Sequence, residues 1–371
     1  MNILVTGGAG FIGSHVTDAL LQRGHQVSVL DALVPQVHGD VTTPRYLARA
    51  AEFVRGDVRD ENAWRRALTH ADAVIHLAAE VGVGQSMYEI TRYVDANTFG
   101  TARLWQILTH EKTRVHKVLI ASSMSIYGEG AYECAQHGRV TPALRGVEQL
   151  RARDWELPCP HCGAMLTPVL TPEDKPLAPT STYAITKRDQ EELSLTLGRA
   201  YDIPCVAFRF FNTYGSRQAL SNPYTGAIAM FGARLKNGHP PLVYEDGKQT
   251  RDFIHVGDIV RALLAALESP RGDGRAFNVG TGQPRTLLDI AQQLARVMDL
   301  DLEPHVTQQF RAGDIRHCAA DPTQLRATYD LPPPIPFEQG VGEWWDWAER
   351  EMAADRVLQA NTELAARQLV R

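Results

Sequence analysis

Tyr183 and Lys187 stand four positions apart in Tyr183-Ala184-Ile185-Thr186-Lys187, so a helix there puts a phenol and an ammonium on one face. A phenol titrates near ~10 and is a poor base at neutral pH, but a neighbouring cation favours the phenolate and would make Tyr183 a proton acceptor. Upstream, Ala121-Ser122-Ser123-Met124-Ser125 ends an apolar run at what would be the carboxyl edge of a sheet, where open α/β folds bind ligands. A serine there could orient a reacting hydroxyl. Each feature also has a plainer reading: an ordinary surface pair on a helix, and serines that cap the next turn.

A third feature gives these two a context. Thr6-Gly7-Gly8-Ala9-Gly10-Phe11-Ile12-Gly13 follows directly on the β-branched run Asn2 to Val5 and opens an amphipathic stretch. Glycines in that position let the turn tighten and let backbone N–H groups at the helix start touch a pyrophosphate. The next strand ends at Asp31, whose carboxylate can accept from both hydroxyls of an adenosine ribose and would repel a 2′-phosphate. No arginine follows before Arg45, which agrees with NAD over NADP. Asp57-Val58, after the third strand, is a further candidate for adenine contact; Asp57 could instead be a helix N-cap.

The elements that must carry these residues alternate. Strands are predicted at Asn2 to Val5, Gln26 to Leu30, Glu52 to Val54, Ala73 to Leu77, Lys117 to Ala121 and Cys205 to Phe210, with helical stretches such as Phe11 to Arg23 between them. That rhythm predicts an α/β Rossmann fold, a doubly wound parallel sheet covered on both faces. We divide the chain into an NAD-binding domain over 1–215, a smaller α/β substrate-binding cap over 216–350, and a charged amphipathic helical tail over 351–371. The cap is predicted to hold helices near Gly226 to Lys236, Asp258 to Leu267 and Leu287 to Val297, and a strand near Leu242 to Tyr244.

One stretch breaks the rhythm. Residues 131–176 are proline-rich and aperiodic and carry three of the five cysteines, so they are read as a loop-rich insertion too poor in apolar residues to hold itself together by a core. Cys134-Ala135-Gln136-His137 and Cys159-Pro160-His161-Cys162 have the ligand types and knuckle spacing of a closed tetrahedral zinc site. Cys134, His137, Cys159 and Cys162 are the expected ligands, with His161 as an alternative to His137. Free thiols and a disulfide are the other readings. An odd cysteine count, no apolar signal segment and a net charge of −5 lead us to expect a cytoplasmic protein rather than a secreted one, and no generic nucleic-acid binder. No apolar run is long enough for a membrane span.

Together these motifs resemble the extended short-chain dehydrogenase/reductases, within the NAD-dependent nucleotide-sugar epimerases and dehydratases. The resemblance rests also on His76-Leu77-Ala78-Ala79, Asp95-Ala96-Asn97-Thr98-Phe99-Gly100-Thr101, Arg209-Phe210-Phe211-Asn212-Thr213-Tyr214-Gly215, Arg251-Asp252-Phe253-Ile254-His255-Val256 and Arg311-Ala312-Gly313-Asp314. It implies catalysis by Ser123, Tyr183 and Lys187, with Lys187 also on the nicotinamide ribose. It implies NAD contacts from Gly7, Gly10, Phe11, Ile12, Gly13, Asp31, Asp57, Val58, Leu77, Ala78, Ala79, Asn97, Ser122 and Phe210. For a nucleotide-diphosphate sugar it implies Ser123, Met124, Asn212, Thr225, Gly226, Leu242, Tyr244, Arg251, Arg311 and Asp314. Asn212, Arg251 and Arg311 would hold the diphosphate, and Leu242 and Tyr244 would lie against the base. Arginine's planar fork suits phosphate oxygens, although either arginine could instead form a structural ion pair.

Similar 4,6-dehydratases carry an Asp-Glu pair directly after the active-site hydroxyl residue. Met124 and Ser125 occupy those positions and cannot exchange protons as carboxyl groups do, so C4 epimerisation is expected rather than elimination. Cys318 matches a position that varies between small and bulky among similar epimerases; a buried apolar cysteine is the plainer reading. The insertion itself is most similar to that of the dTDP-L-rhamnose 4-epimerases, which implies a dTDP-linked deoxysugar; a UDP-hexose or UDP-hexuronate is the alternative. The same relatives commonly form homodimers through the helices near Asn97 and Tyr183.

Overall fold

Short apolar strands buried on both faces dictate the centre of the structure, a computed structural model describing residues 1–371. Ile3, Leu4 and Val5 are 1% exposed or less, and every residue from Lys117 to Ser123 is buried, the pattern of a parallel sheet covered by helices on each side. The strands are β1 (Asn2–Thr6), β2 (Gln26–Asp31), β3 (Glu52–Arg55), β4 (Ala73–His76) and β5 (Lys117–Ser123). Next come β6 (Ala131–Cys134), β7 (Gly138–Val140), β8 (Thr167–Val169), β9 (Cys205–Phe210), β10 (Asn212–Tyr214), β11 (Leu242–Val243), β12 (Thr250–His255) and β13 (Ala276–Val279). Seven form the central parallel sheet in the order β13-β9-β5-β4-β1-β2-β3. Its register pairs Thr6 with Leu30 and His76, and Ser123 with Phe210, so the carboxyl ends line up along one edge. The order reverses between β1 and β4, and that is where an open α/β sheet leaves a crevice. The predicted fold is the observed one.

Three parts of the sequence reading need correction. The cap is not one continuous stretch over 216–350: β13 returns to the central sheet, and helix Val256–Leu267 joins the main core, where Ile259 and Leu263 cluster with Val16 and Leu20 of the first helix. Pattern alone could not separate them, because a buried helix looks the same in either layer. Residues 131–176 are not without structure of their own: β6, flanked by antiparallel β7 and β8, makes a small sheet. Tyr132, Cys134, Val140, Leu157, Cys159 and Leu166 form a miniature core beneath it, two of its six members being candidate metal ligands. The tail is helical only over Val357–Ala366, with irregular chain before it and a bridge between Arg311 and Val370 after it. No helix is long and apolar enough to cross a membrane.

The insertion is keyed to the rest of the protein by buried charge. Arg145 makes a bidentate pair with Glu245 (both N···O distances 2.9 Å) and donates to the carbonyls of Trp155 and Asp314. Glu245 also accepts from Arg316, and Glu129 accepts from the backbone N–H groups of Arg316 and His317. All four charged side chains are at most 4% exposed. Trp155 and Leu150 of the insertion also pack on Phe310.

Candidate functional site

A cavity of about 590 Å³ opens at the carboxyl edge of the sheet. The glycine turn forms one end. Gly7 has φ +67°, and a Cβ there would lie 2.8 Å from the backbone N of Ala78; at Gly13 a Cβ would lie 2.1 Å from the Gly7 carbonyl oxygen. Only glycine lets the turn and the helix close this tightly, and the turn is fixed by Gly7 N–H donating to Leu30 and Gly10 N–H to Gly7. Asp31, at the end of β2, accepts from the N–H groups of Ala9 and Leu33 at 3.0 and 2.9 Å, which holds its carboxylate at the cavity wall. Asp57 also lines the cavity, while the neighbouring N-cap role belongs to Asp60, which accepts from Asn62. Burial alone would raise the Asp57 pKa, but hydrogen bonds and charge from Arg59 hold it below the usual carboxylate range.

Helix Thr182–Ala200 starts where the Ser181 hydroxyl accepts from Ala184 N–H, at 3.1 Å. Tyr183 N–H donates to Ser86 Oγ, and the Tyr93 ring meets the Tyr183 ring edge-on at 6.4 Å, so the phenol's direction is set from both sides. Tyr183 and Lys187 do lie on one face and line the same cavity as Ser122 and Ser123. The electrostatics differ from expectation. Burial pushes the Tyr183 phenol up, and the group opposing it is the Ser123 hydroxyl, not Lys187. Burial drives the Lys187 amine down to about 7, and its Nζ donates to Gln190 Oε1 at 2.7 Å. Gln190 in turn donates to Thr101, which lies 3.0 Å from His76, a ring kept neutral by burial at about 3. The lysine is therefore backed by uncharged groups.

The other candidates gather around this centre. Phe11, Ile12, Val58, Leu77, Ala78, Ala79, Phe210, Met124, Asn212, Thr225, Gly226, Leu242, Tyr244, Arg251, Arg311 and Asp314 all line the cavity. Asn212 Oδ1 is buried with no partner in the protein, as is Ser122 Oγ, so both have hydrogen-bonding capacity left over. Arg251 is held by the backbone carbonyls of Thr250, Ile315 and Arg316 and pairs with no carboxylate, which leaves its charge uncompensated. Arg311 does pair with Asp314, at 2.9 Å, and stacks 4.7 Å over the Tyr244 ring.

Asn97 is the exception. It is fully buried and does not line the cavity; its amide clamps the Glu80 backbone through N–H and C=O and donates to Thr186, so it shapes the loop after Ala79. Cys318 packs with Met124, Tyr127, Phe211 and Ile315 and stays out of the cavity. Sequence reasoning missed the tail: Val357, Ala360, Asn361, Leu364 and Leu369 are cavity residues. Outside the cleft, the donor atoms of Cys134, His137, Cys159 and Cys162 all lie within 4.8 Å of one another.

A doubly wound sheet with a glycine cradle, an acid at the second strand and a Ser/Tyr/Lys cluster in one cleft defines a dinucleotide-dependent oxidoreductase-type site. The chain belongs to the NAD dependent epimerase/dehydratase family, whose pattern matches residues 3–143 and 163–280 and passes over part of the insertion. It is 37% identical to a dTDP-L-rhamnose 4-epimerase of Burkholderia thailandensis, over 94% of this chain and 95% of that one. A putative UDP-glucose 4-epimerase of Methanocaldococcus jannaschii is 30% identical over 93% and 97% of the two chains. Among solved structures, the Bacillus cereus UDP-glucuronic acid 4-epimerase in complex with UDP-glucuronic acid and NAD superposes with a TM-score of 0.76, at 26% identity over 94% and 99%. The Thermotoga maritima UDP-glucose 4-epimerase with UDP-glucose gives 0.75, at 29% identity over 94% and 99%.

Proposed function

We propose that the protein is a nucleotide-sugar C4-epimerase that uses tightly held NAD, with dTDP-L-rhamnose and dTDP-6-deoxy-L-talose as the pair it interconverts. The observation that carries the reaction class is the meeting of Ser123, Tyr183 and the glycine cradle in one cavity, with no carboxyl group at 124 or 125 to drive elimination. Bound NAD would accept a hydride from sugar C4 and return it to the opposite face. Gly7, Gly10 and Gly13 leave room for its pyrophosphate, and Asp31 accepts from its adenosine ribose hydroxyls. Ser123 orients the C4 hydroxyl. Tyr183 takes the hydroxyl proton during oxidation and gives it back during reduction. Asn212, through its side-chain NH₂, and Arg251 and Arg311 hold the diphosphate while the sugar turns, with the Arg251 charge left unpaired by any carboxylate. Met124 and Phe211 bring apolar surface into the cavity, which suits a 6-methyl group better than a carboxylate.

The test is C4 inversion followed by NMR across dTDP- and UDP-sugars, with no net consumption of added NAD. Tyr183→Phe should lower kcat by about 10²- to 10⁴-fold while NAD stays bound; a loss under tenfold refutes the assignment. Inversion of UDP-hexoses alone would move the substrate to the alternative.

For the insertion we propose a structural zinc. Cys134 Sγ lies 3.6 Å from Cys162 Sγ and 3.5 Å from His137 Nδ1, and Cys159 Sγ lies 3.6 Å from His137 Nδ1. Those edges fit a tetrahedron with Zn–S near ~2.3 Å. Cys134 and His137 take their positions from the β6–β7 hairpin, and Cys159 and Cys162 from the 159–162 knuckle, so a bound ion would tie the small sheet to the knuckle. We also propose a homodimer through the exposed apolar residues Ile90, Val94, Phe99 and Ile185, which lie on the helical segments about Asn97 and Tyr183. Light scattering on the wild type and on Phe99→Glu tests it.

A further inference from the structure

We propose that residues 357–371 form the outer wall of the nucleotide subsite, with Asn361 as a specificity-determining residue for the nucleoside. The proposal rests on the epimerase reading for the identity of the ligand. Helix Val357–Ala366 lies across the cleft between two parts of the protein that are far apart in sequence. On one side Glu363 accepts from the hydroxyls of Tyr88 and Tyr224, both at 3.1 Å, and Arg367 sits 4.2 Å over the Tyr88 ring. Tyr88 closes the same short segment whose Ser86 holds the start of the Tyr183 helix. On the other side Leu364, Tyr244 and Val370 share one buried cluster.

The chain then doubles back as a strap on the Arg311 loop. Phe310 N–H donates to Arg371, Arg371 N–H to Phe310, and Ala312 N–H to Leu369, at 2.9 to 3.0 Å. Arg311, between those pinned positions, is stacked on Tyr244, and Tyr244 donates its hydroxyl to Asn361 Oδ1 at 2.5 Å. The Asn361 NH₂ has no partner within the protein, and the residue lines the cavity. Arginine, aromatic ring and amide are thus locked together at the Tyr244 end, with a free donor left for a ligand. An amide NH₂ beside an aromatic face suits a pyrimidine, whose carbonyl oxygens accept in the ring plane while the ring lies against Tyr244.

Two variants test this: a chain ending at Arg356, and Asn361→Ala. Each is assayed for KM and kcat with the nucleotide sugar, for binding of free dTDP and UDP by calorimetry, and for bound NAD. The expected result is a rise of tenfold or more in KM and in the nucleoside diphosphate Kd on truncation, and of three- to fivefold in Asn361→Ala. Bound NAD should stay within threefold of wild type. Unchanged affinity in both variants, or tighter binding on truncation, overturns the proposal; the latter would mean that the tail competes with the ligand. Should the shortened chain fail to fold, as read by circular dichroism, Asn361→Ala decides alone. A wild type that binds dTDP or UDP but inverts no sugar sinks the epimerase reading only, because the calorimetric comparison needs no turnover.

Discussion

Replacing Arg145 by Met would leave a side chain of similar length and remove one member of a buried group of four charges. The four buried charges Arg145, Arg316, Glu129 and Glu245 sum to zero, with Arg316 also reaching the more exposed carboxylates of Glu156 and Asp246; without Arg145 the buried four carry one net negative charge in a site at most 4% exposed. Breaking a buried pair from one side costs about 3 to 5 kcal/mol, because the remaining charge is left desolvated. Glu245 keeps its 2.9 Å bond from Arg316, so the lower end, about 3 kcal/mol, is expected. By contrast, the exposed pair of Arg151 and Glu148 should contribute about 0.5 kcal/mol or less. For a chain of this size the larger loss corresponds to a melting temperature roughly 5 °C lower. The double variant R145M/E245Q restores neutrality and should recover most of it. Calorimetric melting of wild type, single and double variants forms the assay, with KM as a second readout: Arg145 also holds the Asp314 carbonyl beside the Arg311 pair, so R145M should raise KM more than it lowers kcat. A single variant that melts within a degree of wild type, or a double variant no better than the single, would refute the reasoning.

Further expectations concern the cleft and the metal. Gly13→Ala would force a Cβ to within 2.1 Å of the Gly7 oxygen, well inside contact distance, and should cut bound NAD by about 10²-fold or more, read by release on denaturation. Lys187→Met should abolish turnover yet stabilise the unliganded protein: the folded amine titrates near 7 against an ordinary 10.5, so its cost is complete below about pH 7 and fades towards 10.5, and the gain in melting temperature should be larger at pH 6 than at pH 9. Because burial raises the Tyr183 phenol, kcat should climb with pH through neutrality, a limb that Tyr183→Phe removes. Metal analysis of reduced, unchelated protein should find one zinc per chain; Cys159→Ser should lose it and expose residues 131–176 to proteolysis.

The central sheet and the gathering of the candidate residues around one cavity were legible because each is governed by a local rule. Buried strands read as short β-branched runs, glycines at a strand-to-helix turn have few other uses, and an i,i+4 pair shares a face whatever surrounds it. What failed depended on distant parts of the chain. The downward shift of the Lys187 amine could not be foreseen, because it comes from burial under the rest of the fold, with Gln190 as its hydrogen-bond partner and Thr101 and His76 behind that. Asn97 has the right type for a ligand contact, but a buried amide satisfied by the Glu80 backbone and Thr186 has no donors left. The tail's apolar residues announced a packed face but not its address. The insertion's small core escaped notice because two of its six members are cysteines, counted as chemistry and not as packing.

The insertion enters and leaves the sheet side by side, since Ala131 pairs with Val169 across β6 and β8. Such a cassette could be spliced in or out at its hinges without stretching the host, as the chain ends it needs are already neighbours. What makes it more than an ornament is its lock and key: its Arg145 meets Glu245 of the host, which without the insertion would be held by Arg316 alone. A transplanted cassette should therefore settle only in a recipient that is given its counter-charge at the same time.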